Sequence, residues 1–160
     1  MKNLQIEFKW AIIFTIATLA WMLLEKTLGW HDEQIANHDW LTLLFLPFII
    51  LMYVLALREK RRRYYNKTIT WRQAFLSGLI VSIFAAALSP LAQYITHNYI
   101  TPEFFVKVKD YSVTNNLMTV NAVNDYYNIN NYMMQAALSS LIGGTLISAI
   151  VAIFMRRKTN

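Results

Sequence analysis

Ser89, Gln93 and His97 recur at every fourth position late in an apolar stretch, which places them on one helix face, and Glu25 closes another apolar stretch. Hydroxyl, amide, imidazole and carboxyl groups at the end of a hydrophobic bundle are the parts of a proton relay or an ion-coupled binding site. An ionisable group beside lipid is costly unless it faces a partner or a watery cavity, so Glu25, Ser89, Gln93 and His97 form the candidate polar cluster. A plainer alternative is an interfacial ion pair or a solvated helix end. His31 and His38 fall near Glu25 in the sequence, with Asp32, Glu33 and Asp39, and imidazole with carboxylate suits zinc or another divalent ion. Those ligands sit in a loop without the fixed helical spacing of known motifs, so the sequence assigns no metal and no cofactor.

Other chemistries are excluded more simply. Hydrolysis needs a nucleophile, a base and an orienting group in mutual reach, whereas Ser89 and His97 are two helical turns apart and the other serines fall at packing spacing. No phosphate loop, dinucleotide fingerprint or zincin motif occurs. With 0 cysteines there are no disulfides, redox pairs or thiolate zinc sites. The expectation is a protein that is not an enzyme.

The elements that must position these residues are four apolar stretches. The chain has 160 residues, of which 56% are apolar and only 15% charged, with mean hydropathy +0.32. A hydrocarbon core about 30 Å thick needs roughly 20 mostly apolar residues per spanning helix. Residues 74–96 and 132–155 contain no charged side chain and meet that length, and 40–57 approaches it from an interfacial Trp40, with Pro47 inside. Residues 10–30 complete the set if Trp10, Trp21 and Trp30 anchor the segment and Glu25 and Lys26 lie near the headgroups, with Glu25 reaching water. A cleaved signal peptide fits this segment less well, because Ala20 would precede bulky Trp21. The fold class expected is all-α, one membrane domain over 1–160 with four transmembrane helices and an outer segment at 97–131.

Charge sets the orientation. Most of the 15 basic residues lie at the N-terminus (Lys2, Lys9), in the connection 58–73 and in the tail (Arg156, Arg157, Lys158). The remaining loops are mainly acidic, so both termini are expected in the cytoplasm. The run Arg58, Lys60, Arg61, Arg62 and Arg63 acts as a topology determinant and can hold anionic lipid headgroups, at about 1 kcal/mol per side chain. The formal charge of +6 does not indicate nucleic acid, because the charges flank apolar runs instead of lining a face.

Small residues mark where helices can approach, since lipid supplies no hydrophobic drive between them. Gly78, Ser82 and Ala86 form one stripe and Ser140, Gly144, Ser148 and Ala152 another, suited to close contact inside one chain or, alternatively, in a homo-oligomer. Pro90 should kink its helix or free the carbonyl of Ala86, with Ser89 nearby. In the outer segment Thr101 and Pro102 introduce a helix toward Thr114, Asn115 and Asn116 end it, Thr119 or Asn121 caps a second through Tyr127, and Asn128 precedes the last span. Phe104, Phe105, Tyr111, Tyr126 and Tyr127 would lie at the headgroups or over the bundle mouth.

Several of these stretches together resemble a family of small bacterial inner-membrane proteins catalogued as domain of unknown function 4199. The resemblance rests on Met22-Leu23-Leu24-Glu25-Lys26 followed by Gly29 and His31-Asp32-Glu33, on Tyr53-Val54-Leu55-Ala56-Leu57, and on Thr70-Trp71-Arg72-Gln73 with Gly78. Leu88-Ser89-Pro90-Leu91, Gln93-Tyr94-Ile95-Thr96-His97 and Thr101-Pro102 extend it over most of the chain. It implies a four-span domain in the cell inner membrane and no particular activity. Of two functions, an accessory or assembly component that binds other membrane or periplasmic proteins is favoured, because four spans are few for a carrier unless it dimerises; the alternative is a small transporter or ion-coupled carrier using Glu25, Gln93 and His97.

Overall fold

A computed structural model of the chain describes residues 4–156; Lys2, Arg157 and Lys158, counted above for orientation, lie outside the described residues. The elements run α1 (Gln5–Thr27), a 3-10 turn (Ile35–Asn37), α2 (His38–Thr42), a second 3-10 turn (Leu43–Phe45), α3 (Leu46–Arg63), α4 (Trp71–Ile95), a π-helical turn (Thr96–Ile100), α5 (Phe104–Thr114), α6 (Val120–Tyr126) and α7 (Ile129–Met155). Four stretches, Gln5–Thr27, Trp40–Arg63, Trp71–Ile100 and Ile129–Met155, are long and apolar enough to cross a membrane. The protein is thus all-α with four candidate spans, as the sequence predicts, although the first span starts earlier and ends at Thr27 instead of Trp30.

The distribution of side chains is inverted relative to a water-soluble bundle. Phe154 is 75% exposed and Leu146 61%, whereas Ser82, Ser148 and Glu25 are fully buried and Glu7 and Lys60 nearly so. Leaving a large apolar side chain in water costs on the order of 1.5–3 kcal/mol relative to burying it, so this exterior is stable against hydrocarbon.

Local chemistry explains the boundaries. Thr70 and Gln73 form a reciprocal capping box at the start of α4. Thr119 and Asn128 accept from the third residue of α6 and α7, at Ala122 and Asn131. Pro47 falls in the first turn of α3, where its missing N–H costs nothing, and not in mid-helix. Pro90 lies within α4, and the Ser89 hydroxyl donates to the Ala86 carbonyl at 2.9 Å, satisfying the acceptor a proline leaves free. Asn115 and Asn116 end α5 as expected, but Thr101 does not cap it; its N–H turns back to the Thr96 carbonyl at 2.7 Å.

The tightest seam is between α4 and α7. A Cβ on Gly78 would collide with Ser148, and one on Gly144 with Tyr53 and Ser82, so the two small-residue stripes meet each other within one chain. Polar atoms in this seam are paired: Tyr53 with Ser82 at 2.7 Å, Ser82 to the Gly78 carbonyl at 3.0 Å, and Ser148 to the Phe75 carbonyl at 3.0 Å. Ala152 is buried in the same seam, while Ala86 and Ser140 are half-buried beside it.

An even number of spans brings the start of α1, the turn after α3 and the end of α7 to one end of the bundle, here called the arginine end. Arg61 donates to the carbonyl of Met155 there. The end of α1, the 30–42 connection, the π turn and α5 gather at the opposite, histidine end.

Candidate functional site

Glu25 sits in the last turn of α1. Gly29, at φ 73°, takes the left-handed conformation that closes a helix, and the Trp30 N–H reaches back to the Glu25 carbonyl at 3.0 Å. This reversal folds the following loop over the end of α1, so Glu25 is fully buried instead of lying in headgroup water as the sequence suggested. Its Oε1 accepts from Trp21 Nε1 at 2.5 Å and from Thr42 Oγ1 at 2.8 Å. Its Oε2 faces His31 Nε2 at 2.9 Å and His38 Nδ1 at 4.0 Å. Trp21 is one turn before Glu25 on the same face and is held by stacking on Phe45.

The second half of the site is the end of α4. His97 lies in the π turn and shares a hydrogen bond of 3.0 Å with Gln93; π turns are frequent at functional positions because they displace a side chain from the helical register. Phe104, at the start of α5, joins the halves. Its ring lies 5.3 Å from His31, 5.2 Å from His38 and 5.3 Å from His97, so all three imidazoles surround one buried phenyl group. Phe105 stacks on His97, and Tyr132 meets it edge-on.

Of the sequence-derived cluster, Gln93 and His97 pair directly with each other, Ser89 turns to the backbone, and Glu25 bonds to Trp21, His31 and Thr42. Ser89 and Gln93 line a cavity of about 320 Å³ within the spans, between α1, α3, α4 and α7, and Thr42 lines it as well. A second cavity, of about 220 Å³, opens at the histidine end and is lined by His31, Asp32, Phe104 and Lys107. Glu25 therefore bonds to one residue of each cavity. Lys107 is held between Asp32 and Glu103, whose hydrogen bonds raise its pKa above the ordinary lysine value.

The model of the family described as protein of unknown function (DUF4199) matches residues 9–157. The chain belongs to this family. No curated protein and no solved structure matches it. The family match spans both Glu25 and His97, so the site lies inside the part of the chain shared with the family.

The basic run departs from the sequence reading at one position. Lys60 does not face headgroups: it is buried, bonding to Glu7 at 2.8 and 3.0 Å and lying over the Tyr64 ring. Arg61 is half-buried against Met155, whereas Arg58, Arg62 and Arg63 are exposed. Sequence reasoning also passed over Glu7, whose carboxylate accepts from Ser77 at 2.7 Å, and Glu59, which is bonded by Lys9 and Trp10. These partners lie 49 to 70 residues away, beyond any local pattern, and only the Arg63 contact of Glu59, at 3.4 Å, has helical spacing. For Thr42 and Trp21 the spacing of Trp21 to Glu25 was the available signal. His31 and His38 lack helical spacing in the sequence; the Gly29 reversal supplies the convergence instead.

Proposed function

We propose that the protein is a small ion-coupled carrier of the bacterial inner membrane, with Glu25 as the coupling group and the pair of Gln93 and His97 as a second polar contact for the solute. The observation that carries this reading is the position of Glu25, fully buried and bonded on one side to Thr42 of the intramembrane cavity and on the other to His31 of the cavity at the histidine end. A buried carboxyl with hydroxyl and imidazole partners can exchange a proton or a cation with either side, which is the linkage coupled transport requires. The excess of Lys and Arg at the other end supports placing both termini in the cytoplasm and the histidine end outside. Four spans are few for alternating access, and this reading takes a homodimer as the working unit. No catalytic step enters it.

The test is charge movement by proteoliposomes on a solid-supported membrane, challenged with pulses of divalent cations and of small weak acids. The wild type should give a solute-dependent transient that Glu25→Gln abolishes, with the variant retaining its melting profile in detergent. Transients of equal size from both proteins, or none from the wild type with any solute, would remove the carrier.

The second reading is an accessory or assembly component for membrane or periplasmic proteins. It is favoured by the outer segment, where Val106, Leu117 and Val120 are 70, 62 and 58% exposed on α5, α6 and the turn between them. It requires defined partners to co-purify in mild detergent, and it expects Glu25→Gln to leave their recovery unchanged.

A further inference from the structure

We propose that Glu25, His31 and His38 form a binding site for a divalent transition-metal ion of the zinc class. The inference rests on reading this cluster as a binding site, but not on transport. One ligand atom from each residue lies within 4.8 Å of the others. Two ligands of a tetrahedral zinc, each at about 2.0–2.1 Å, stand roughly 3.3 Å apart. The Glu25 Oε2 separations of 2.9 Å to His31 Nε2 and 4.0 Å to His38 Nδ1 bracket that value. Small side-chain rotations therefore suffice to enclose an ion.

The surroundings divide the carboxylate as a metal site would. Trp21 and Thr42 both donate to Oε1, which fixes the plane of the group, and Oε2 is left to the imidazoles. Outer contacts of this kind orient metal ligands and raise their affinity. The two rings are also held: His31 and His38 meet edge-on at 4.9 Å, and each packs on Phe104. His31 is 3% exposed, so its imidazole is held in a desolvated position beside Glu25. Two imidazoles and one carboxylate suit Zn²⁺ or its neighbours and disfavour Mg²⁺ and Ca²⁺, which prefer oxygen ligands throughout. Three protein ligands leave one tetrahedral position, and the cavity at the histidine end reaches the cluster through His31.

The experiment is calorimetric titration of the untagged full chain in detergent with Zn²⁺, accompanied by the visible absorption of Co²⁺ in the same site. One Zn²⁺ should bind per chain and displace Co²⁺ showing the intense bands of tetrahedral coordination. His31→Ala and His38→Ala should each weaken Zn²⁺ binding on the order of 100-fold or more, Thr42→Val by about ten-fold, and Glu33→Gln, an exposed acid of the same loop, not at all. Melting curves run alongside establish that each variant is folded; His38, half-buried in a short helix, is the one least able to disturb the bundle. A folded wild type that binds no Zn²⁺, or histidine variants that bind it as the wild type does, overturns the site. Zn²⁺ binding without charge movement by any of the solutes keeps the site and removes the carrier. Carriage of another solute by a chain that does not bind Zn²⁺ does the reverse.

Discussion

The two ends of α1 each bury a glutamate, and they bury it differently. Glu7 and Glu25 are about five turns, or about 27 Å, apart on one face of the helix, close to the thickness of the hydrocarbon core. Glu7 meets a lysine of α3 and a serine of α4, so a permanent cation and a hydroxyl lock three helices together. Glu25 is bonded by an indole, a hydroxyl and an imidazole, and its residues adjoin two cavities. The first arrangement, closed by side chains of two further helices, works as a staple. In the second, an imidazole and a hydroxyl that line cavities can take a metal or a solute group, so the ligand set is adjustable. Burial alone therefore does not distinguish the two glutamates; the partner chemistry does.

Removing the cation at the arginine end should give the largest loss of stability. Lys60→Met leaves Glu7 buried and unpaired, which costs about 3–5 kcal/mol, whereas the double variant Lys60→Met with Glu7→Leu should recover most of it. Thermal melting in detergent reads both. If Lys60→Met melts like the wild type, Glu7 is not held as a buried ion and the contrast between the ends disappears.

Glu25→Gln should be milder for stability while removing activity, since the amide oxygen still accepts from Trp21 and Thr42. A loss of about 1–3 kcal/mol is expected, from weakening charge-assisted bonds without orphaning their donors. A collapse as large as that of Lys60→Met would make the histidine end a second staple. Thr42→Val removes one neutral donor from Oε1 and should cost about 1 kcal/mol. Its sharper consequence is at the cavity: if Thr42 links Glu25 to the intramembrane space, the variant slows charge movement more than it lowers the melting temperature.

The bundle was legible from the sequence because two of its determinants are local. Runs of uncharged residues such as 74–96 and 132–155 can be measured against the membrane, and the repeats Gly78-Ser82 and Gly144-Ser148 announce close approach, which the seam of α4 and α7 realises. Pro90 and Ser89 were readable for the same reason, being four and three residues from Ala86. The site was only half legible. Gln93 and His97 pair at the helical spacing that flagged them, but the burial of Glu25 depends on Gly29 reversing the chain and on Thr42 returning from 17 residues away. Lys60 shows the limit most clearly: within an arginine-rich run it reads as one more headgroup ligand, and only a glutamate 53 residues earlier turns it inward.

The smallest effect should come from Lys107, the cation at the mouth of the histidine-end cavity, and it tests whether that end contains a staple of its own. Asp32 and Glu103 raise its pKa above 10.5, so whatever stability the pair contributes is fully present below that value and fades as pH rises through the higher folded pKa. Because Lys107 is open to solvent at the cavity mouth, solvent screens the interaction, and Lys107→Met should melt within error of the wild type. That near-identity should hold unchanged from neutral pH up to 10.5. A variant that instead melted well below the wild type would mean that Lys107 supports the cavity wall it shares with His31, and the mouth would then belong to the adjustable set around Glu25.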